Sequence, residues 1–274
     1  MRYRILLVGP LLVAAALAVA LGAVDDPNQR RLLLRVEIEL VKLLALAGCA
    51  TAAVTFARGD YLRRAWALQA LCYLLLLTRD ATYLAQLRLG PRLLGIHLDY
   101  WHAALVLAGN AAAVLGSWRL ARAGQIAGIH HPESRMRRRV VLGITIAVAL
   151  AIAGPSLVID LKAVLDGETG AVVPLASDVG DIISLCFIAP VMMTAIALRG
   201  GLLAWPWALL TASMLGWLLY DGAHTLGHFV QFGPQRLRAL GEVFRALACT
   251  YALGAGVAQR LVVRSSASSP AAPA

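Results

Sequence analysis

Apolar residues in this chain fall into eight long runs that are separated by short polar segments. Each run is close to the ~20 apolar residues that an α-helix needs to cross the hydrocarbon core of a bilayer. The apolar residues surround each helix on nearly all sides, which is typical of membrane helices. The pattern predicts an all-α, polytopic membrane bundle of about eight transmembrane helices, near residues 5–24, 36–57, 65–86, 100–120, 140–160, 179–198, 203–222 and 240–261.

The two ends of the chain differ from the helical part. Arg2 and Arg4 precede the first run, and the small residues at 18–20 are of the kind that signal peptidase cleaves after. The run is longer than the ~7–15 apolar residues of a signal peptide, so we expect an uncleaved helix, while cleavage would leave seven helices. Residues 1–263 are predicted to form one domain, and residues 264–274 a short disordered cytoplasmic tail.

The composition excludes a soluble protein of this size. Of the 274 residues, 60% are hydrophobic and 15% are charged, and the mean hydropathy is +0.73. Such a chain has too few polar side chains to cover a soluble surface. The net charge of +10 comes from residues between the apolar runs, so we ascribe it to membrane orientation and expect no nucleic-acid partner. The four cysteines lie in apolar runs without a C-x-x-C motif, which indicates neither a disulfide framework nor a zinc ribbon.

Arginine positions predict how the bundle sits in the cell membrane. Six arginines lie between residues 119 and 139, and this segment is cytoplasmic if both termini are cytoplasmic. The positive-inside rule therefore favours an N-in, C-in arrangement. Thirteen of the 15 acidic residues and four of the six histidines then lie outside or in the outer part of a span. Acidic residues have little influence on topology, so this segregation indicates a function at the outer face.

Ionisable side chains within the outer parts of the runs are the candidate ligand-binding residues. An ionisable group inside a span costs roughly 2.5–3.5 kcal/mol on insertion scales, unless it faces a partner or water. We expect an outward-facing pocket that binds a cation, a metal ion, a proton or a small polar ligand. The alternative interpretation is a solvated rim of helix ends. The candidate residues are Asp80, His102, Asp178, Asp181 and Asp221.

His224 and His228 form an H-x-x-x-H motif near the end of the seventh run. On a continuous helix they share one face with Asp221, one turn earlier, and that set can bind a divalent metal ion. Gly222 and Gly227 are candidate helix ends in the same segment. The motif resembles that of the membrane hydrolases related to alkaline ceramidases, which implies a zinc site. The resemblance covers this motif alone, since the family's earlier S-x-x-x-H pattern is absent.

Two charged pairs and one proline lead to structural predictions. Glu242 and Arg245 are three residues apart and are expected to form an ion pair within one helix. Arg79 and Asp80 are adjacent and point about 100° apart, so each is expected to need a partner on another helix. Pro190 is expected to bend its helix.

Three classes of function agree with this sequence, which contains no nucleotide-binding glycine loop and no nucleophile elbow. We favour a receptor-like or sensory module that binds its ligand outside and acts on a signalling partner protein. The first alternative is a metal-dependent hydrolase that uses His224 and His228. The second is a small solute or ion transporter, which the apolar middle of most spans disfavours. Haem held by His102 and His224 is less favoured than a divalent metal ion.

Overall fold

Long helices account for almost all of the chain in the computed structural model, which describes residues 2–89, 92–93, 96–126, 135–229 and 234–267. In these ranges the predicted all-α class is confirmed. A pair of two-residue antiparallel strands, β1 (Arg92–Leu93) and β2 (Ile96–His97), and a 3₁₀ turn at Thr169–Ala171 supplement the helices. The helices are α1 (Arg2–Ala23), α2 (Pro27–Thr55), α3 (Tyr61–Leu89), α4 (Leu98–Ile126), α5 (Arg135–Leu165), α6 (Val172–Cys186), α7 (Ile188–Ala197), α8 (Ala204–Phe229) and α9 (Pro234–Ala267).

The sixth apolar run forms two helices, where a single bent helix was predicted. α6 ends at Cys186 and α7 begins at Ile188, with Phe187 between them. Pro190 has no N–H to donate to the carbonyl of Cys186, and its ring crowds that carbonyl. The expected bend is therefore a break in the helix. Gly222 and Gly227, by contrast, do not end α8, which continues to Phe229.

Six helical segments within the described ranges are long and apolar enough to cross a membrane, which indicates a multi-pass membrane protein. α3 and α8 are not among them, although they have 29 and 26 residues. Both contain charged and aromatic side chains in the halves nearer their C-terminal ends. The six segments are Arg4–Ala23, Pro27–Thr55, Tyr100–Gly124, Arg139–Leu165, Pro174–Ala197 and Arg236–Ser265.

α9 forms the centre of the bundle and α5 its periphery. In the apolar stretch of α9, 67% of the residues are buried, compared with 11% in that of α5. α9 packs against α1, α2 and α8, while α3 pairs with α4 and α5 pairs with α6. The end of the bundle where α2 and α9 begin, and where α3 and α8 finish, is called the outer end below, after the predicted orientation.

Small residues allow α2 and α9 to approach closely. A Cβ atom on Gly256 would overlap the carbonyl carbon and oxygen of Gly48. A Cβ atom on Gly48 would lie 2.9 Å from the carbonyl oxygen of Leu253. Close backbone approach at glycines is how membrane helices gain packing energy where the surrounding lipid is as apolar as the side chains.

Candidate functional site

A cavity of about 260 Å³ lies inside the bundle, and we call it the central cavity. Residues of α2, α3, α4, α6, α8 and α9 form its wall. Gln69 and Arg79 both line it, and these residues are ten positions apart on α3, so the cavity extends about 15 Å along that helix. Its wall combines apolar side chains with uncharged polar ones, and the polar ones include Gln69, Asn110, Ser117, Ser184 and Ser213.

A second cavity, of about 320 Å³, lies towards the outer end between α5, α6 and α8, and we call it the acidic cavity. Asp160, Asp178, Asp181, Asp221 and His224 line it. Asp181 on α6 and Asp221 on α8 also line the central cavity. The two cavities therefore meet at this pair of carboxylates.

The side chains around the acidic cavity are fixed by contacts between helices. The hydroxyl of Thr225 donates a hydrogen bond of 2.7 Å to the carbonyl oxygen of Ile152, which joins α8 to α5. The ring of His224 packs edge-on against Tyr220, with 4.6 Å between the ring centroids. The same histidine approaches the backbone of α9 at Gly241.

The structure brings together some of the predicted site residues and separates others. Asp178, Asp181, Asp221 and His224 surround the acidic cavity, as the predicted pocket requires. Asp80 lines neither cavity and belongs to an ion-pair network on α2 and α3. The predicted pocket is therefore smaller than the sequence suggested.

His102 also lies away from both cavities, buried on α4 with 4% of its surface exposed. The helix places His224 and His228 one turn apart, but the side chain of His228 is outside the described residues. Among the side chains that the structure does describe, no three His, Cys, Asp or Glu residues are arranged to hold a metal ion. The paired-histidine metal site stays a prediction.

A network of buried ion pairs lies beside the central cavity. Lys42 on α2 pairs with Asp80 on α3, which confirms that Asp80 has a partner on another helix. Arg79 also reaches its neighbour Asp80, with 3.2 Å between Nε and Oδ1, although the two residues point about 100° apart on α3. A flexible arginine side chain can bend back across the 100° that separates the two Cβ directions.

The predicted pair within α9 is present as well. Arg245 pairs with Glu242, and its guanidinium lies 5.5 Å from the centroid of the Tyr220 ring. Opposite charges from three helices thus compensate one another within the bundle, as buried charges require. Glu37 on α2 is also buried, and neither of its carboxyl oxygens has a hydrogen-bond partner among the described residues.

Three aromatic side chains form another part of the central cavity wall. The indole N–H of Trp217 points towards the hydroxyl of Tyr73, at 3.5 Å. Trp217 and Tyr220 meet edge to face, with 5.5 Å between the ring centroids. These contacts hold the rings in place beside Asp221, which follows Trp217 by one helical turn.

Sequence reasoning missed most of the polar wall of the central cavity. The spans looked apolar because each one contributes only a few small polar side chains. Asn110 and Ser117 are seven residues apart on α4, as are Ser177 and Ser184 on α6. A spacing of seven residues places both members of a pair on the same helix face. This regular spacing is the feature of the sequence that could have indicated a polar cavity wall.

Tightly packed apolar side chains close the central cavity at its inner end. Trp66, Leu120 and Leu209 lie on α3, α4 and α8, about one helical turn beyond the cavity residues Gln69, Ser117 and Ser213. At most 2% of each of the three is exposed. We call them the inner plug.

The arrangement provides a cavity between helices that has polar side chains on its wall and two carboxylates where it meets the acidic cavity. Such cavities with a few convergent polar groups are the usual places where ligands bind. No known protein family, no curated protein and no solved structure matches the chain. The function is therefore argued from the geometry of the site.

Proposed function

We propose that this protein is a receptor-like or sensory module of the cell membrane, which binds a cation, a metal ion or a small polar ligand from outside. The observation that carries the proposal is that Asp181 and Asp221 line both cavities. A ligand that enters the acidic cavity meets these carboxylates before it reaches the polar interior.

The proposal includes eight membrane crossings, of which α6 and α7 together make one, with both termini in the cytoplasm. α3 and α8 complete the eight because they are as long as the other helices and pack between them. Several of their polar side chains, such as Gln69 and Arg79 of α3 and Asp221 of α8, line the central cavity, which lowers the cost of placing these helices in a membrane. This orientation puts the acidic cavity at the outer face and the inner plug towards the cytoplasm.

The inner plug supports binding over continuous conduction. A conducting pathway needs water or polar groups along its whole length, whereas Trp66, Leu120 and Leu209 fill the inner end. A ligand can shift the helices from one arrangement to another only if it binds the two arrangements with different affinities. We propose that ligand binding shifts the packing of α6 and α8, and that a signalling partner protein responds to this shift.

Labelling of an introduced cysteine tests the access route. All four native cysteines are replaced by alanine, and Ser184→Cys then reports on the central cavity. We expect a membrane-impermeant thiol reagent to label this cysteine in vesicles only from the side that also labels Asp166→Cys, in the α5–α6 connection. Arg58→Cys, in the α2–α3 connection, should be labelled only from the opposite side.

Three results contradict parts of the proposal. Labelling of Ser184→Cys only from the Arg58→Cys side would refute entry from the outer end. No labelling from either side would refute an accessible binding cavity. If Asp166→Cys and Arg58→Cys react from the same side, the proposed topology is wrong.

A small-solute transporter is the second candidate, because the cavity already extends about 15 Å along α3. The inner plug adjoins its inner end. In a transporter this plug opens during each cycle. Labelling of Ser184→Cys from both sides in the same preparation would favour transport over a receptor-like role.

A further inference from the structure

We propose that the ligand of this protein is a small organic amine, whose ammonium group binds between Asp181 and Asp221 while its carbon body lies against Trp217 and Tyr73. The inference rests on the proposed function and adds the chemical class of the ligand. Four features of the site support it: the unbalanced acidic charge, the aromatic wall, a buried hydroxyl and the size of the cavity.

The charges at the site leave a place for one cation. The basic residues of the central cavity wall are already engaged, Lys42 and Arg79 with Asp80, and Arg245 with Glu242. Among the ion pairs of the described residues, none includes Asp181 or Asp221. Both carboxylates line the same two cavities, so a cation that lies between them is balanced by their charge.

The aromatic wall favours an organic cation over a metal ion. Ammonium groups are attracted to the faces of tryptophan and tyrosine rings within about 6 Å of the centroid. Trp217, Tyr73 and Tyr220 line the cavity that Asp181 and Asp221 also line. Their mutual contacts fix the rings, so that little ordering is needed when a ligand binds.

Ser213 offers a hydrogen bond deeper in the same cavity. Only 3% of this residue is exposed, and it forms part of the cavity wall. The amide nitrogen of Asn110, which lines the same cavity, is buried without a hydrogen-bond partner among the described residues, although buried polar groups are nearly always paired. A polar group on the ligand body would satisfy it.

The size of the cavity limits the ligand. Its volume of about 260 Å³ is below the ~300–1,000 Å³ of pockets that hold drug-sized molecules. A primary amine with one ring or a short chain is therefore the expected size.

Three probes of the same shape test the chemical class. 2-Phenylethylamine, 2-phenylethanol and phenylacetate present a cation, a neutral hydroxyl and an anion on similar bodies. Each is titrated calorimetrically into the full chain in lipid nanodiscs. We expect the amine to bind at least tenfold more tightly than the alcohol, and phenylacetate to bind most weakly. Equal or tighter binding of the alcohol or of phenylacetate would overturn the inference.

Variants test the residues. The double variant Asp181→Asn/Asp221→Asn is expected to lose at least tenfold in amine affinity, while Asp166→Asn, an exposed aspartate that lines neither cavity, keeps wild-type affinity. Trp217→Leu should weaken the amine and the alcohol alike, because the carbon body that the two probes share lies against this ring. Unchanged amine affinity in the double variant would overturn the proposed position of the ammonium group.

A measurement on the wild-type chain covers the case of a variant that does not fold. Cys72 lines the central cavity, so 2-phenylethylamine should slow its modification by methyl methanethiosulfonate more than 2-phenylethanol does. Equal rates would overturn the inference. If Ser184→Cys is labelled from outside but the amine does not bind, only the ligand class is wrong. If Ser184→Cys is not labelled, the proposed function itself fails.

Discussion

Substitution of a glycine at the contact between Gly48 and Gly256 is the strongest test of how α2 packs against α9. A methyl group added by Gly256→Ala would overlap the carbonyl of Gly48 and would lie 3.0 Å from its Cα atom. The atoms it meets belong to a helix backbone, so no side chain can rotate away. The two helices would have to move apart, with loss of contacts along their interface.

Overpacking of a well-packed interior typically costs ~1–3 kcal/mol. Alanine also gains ~0.4–1 kcal/mol over glycine, because it restricts the unfolded chain. That gain is common to every Gly→Ala substitution in a helix, so a matched control removes it. A methyl group on Gly143 of α5 would meet no atom within 4 Å, and one on Gly254 of α9 would meet only an ordinary contact of 3.4 Å. We expect Gly256→Ala to be less stable than either control by ~1–3 kcal/mol.

The assay is unfolding of the detergent-purified protein by sodium dodecyl sulfate, followed by tryptophan fluorescence. The free energy of unfolding is extrapolated to zero denaturant for each variant. Gly254→Ala is the stricter control because it lies on the same helix, two residues away. If Gly256→Ala is as stable as Gly254→Ala, the close approach of α2 and α9 is refuted.

Two further predictions use the same assay. Lys42→Met should destabilise the protein by about 3 kcal/mol, the lower end of the range for breaking a buried ion pair, because Arg79 remains beside Asp80. The double variant Lys42→Met/Asp80→Asn should regain part of this loss. A double variant that is less stable than Lys42→Met would contradict the pairing. Thr225→Val should cost about 1 kcal/mol through the lost hydrogen bond to Ile152, and an unchanged free energy would show that this bond contributes nothing.

The helices themselves were largely readable from the sequence. A chain segment in a bilayer core has to satisfy its backbone hydrogen bonds internally, so each long apolar run is expected to form a helix. The interruption between α6 and α7 at Phe187 was predictable only in part from the sequence. Pro190 indicates a disturbance, but whether a helix bends or divides depends on the neighbouring helices that hold its two halves.

The candidate site was predictable only in part. Asp178, Asp181 and Asp221 were recognised because charge in a span is costly wherever it lies, and His224 was recognised by its H-x-x-x-H motif. His102 looked the same at the level of sequence, yet α4 is rotated so that it lies away from both cavities. The free-energy cost of an ionisable group in a span identifies an unusual residue, but it does not say which side of the helix faces a cavity.

Sequence alone determined the helical membrane character of this protein and the ion pair between Glu242 and Arg245. Both depend on one helix at a time: the first follows from the length and apolarity of each run, and the second from the spacing of two residues on a helix. Only the tertiary structure decided that Lys42 meets Asp80 across 38 residues, and that Asp181 and Asp221 share two cavities. The physical reason is that the rotation and separation of each helix depend on packing against all its neighbours, as at Gly48 and Gly256.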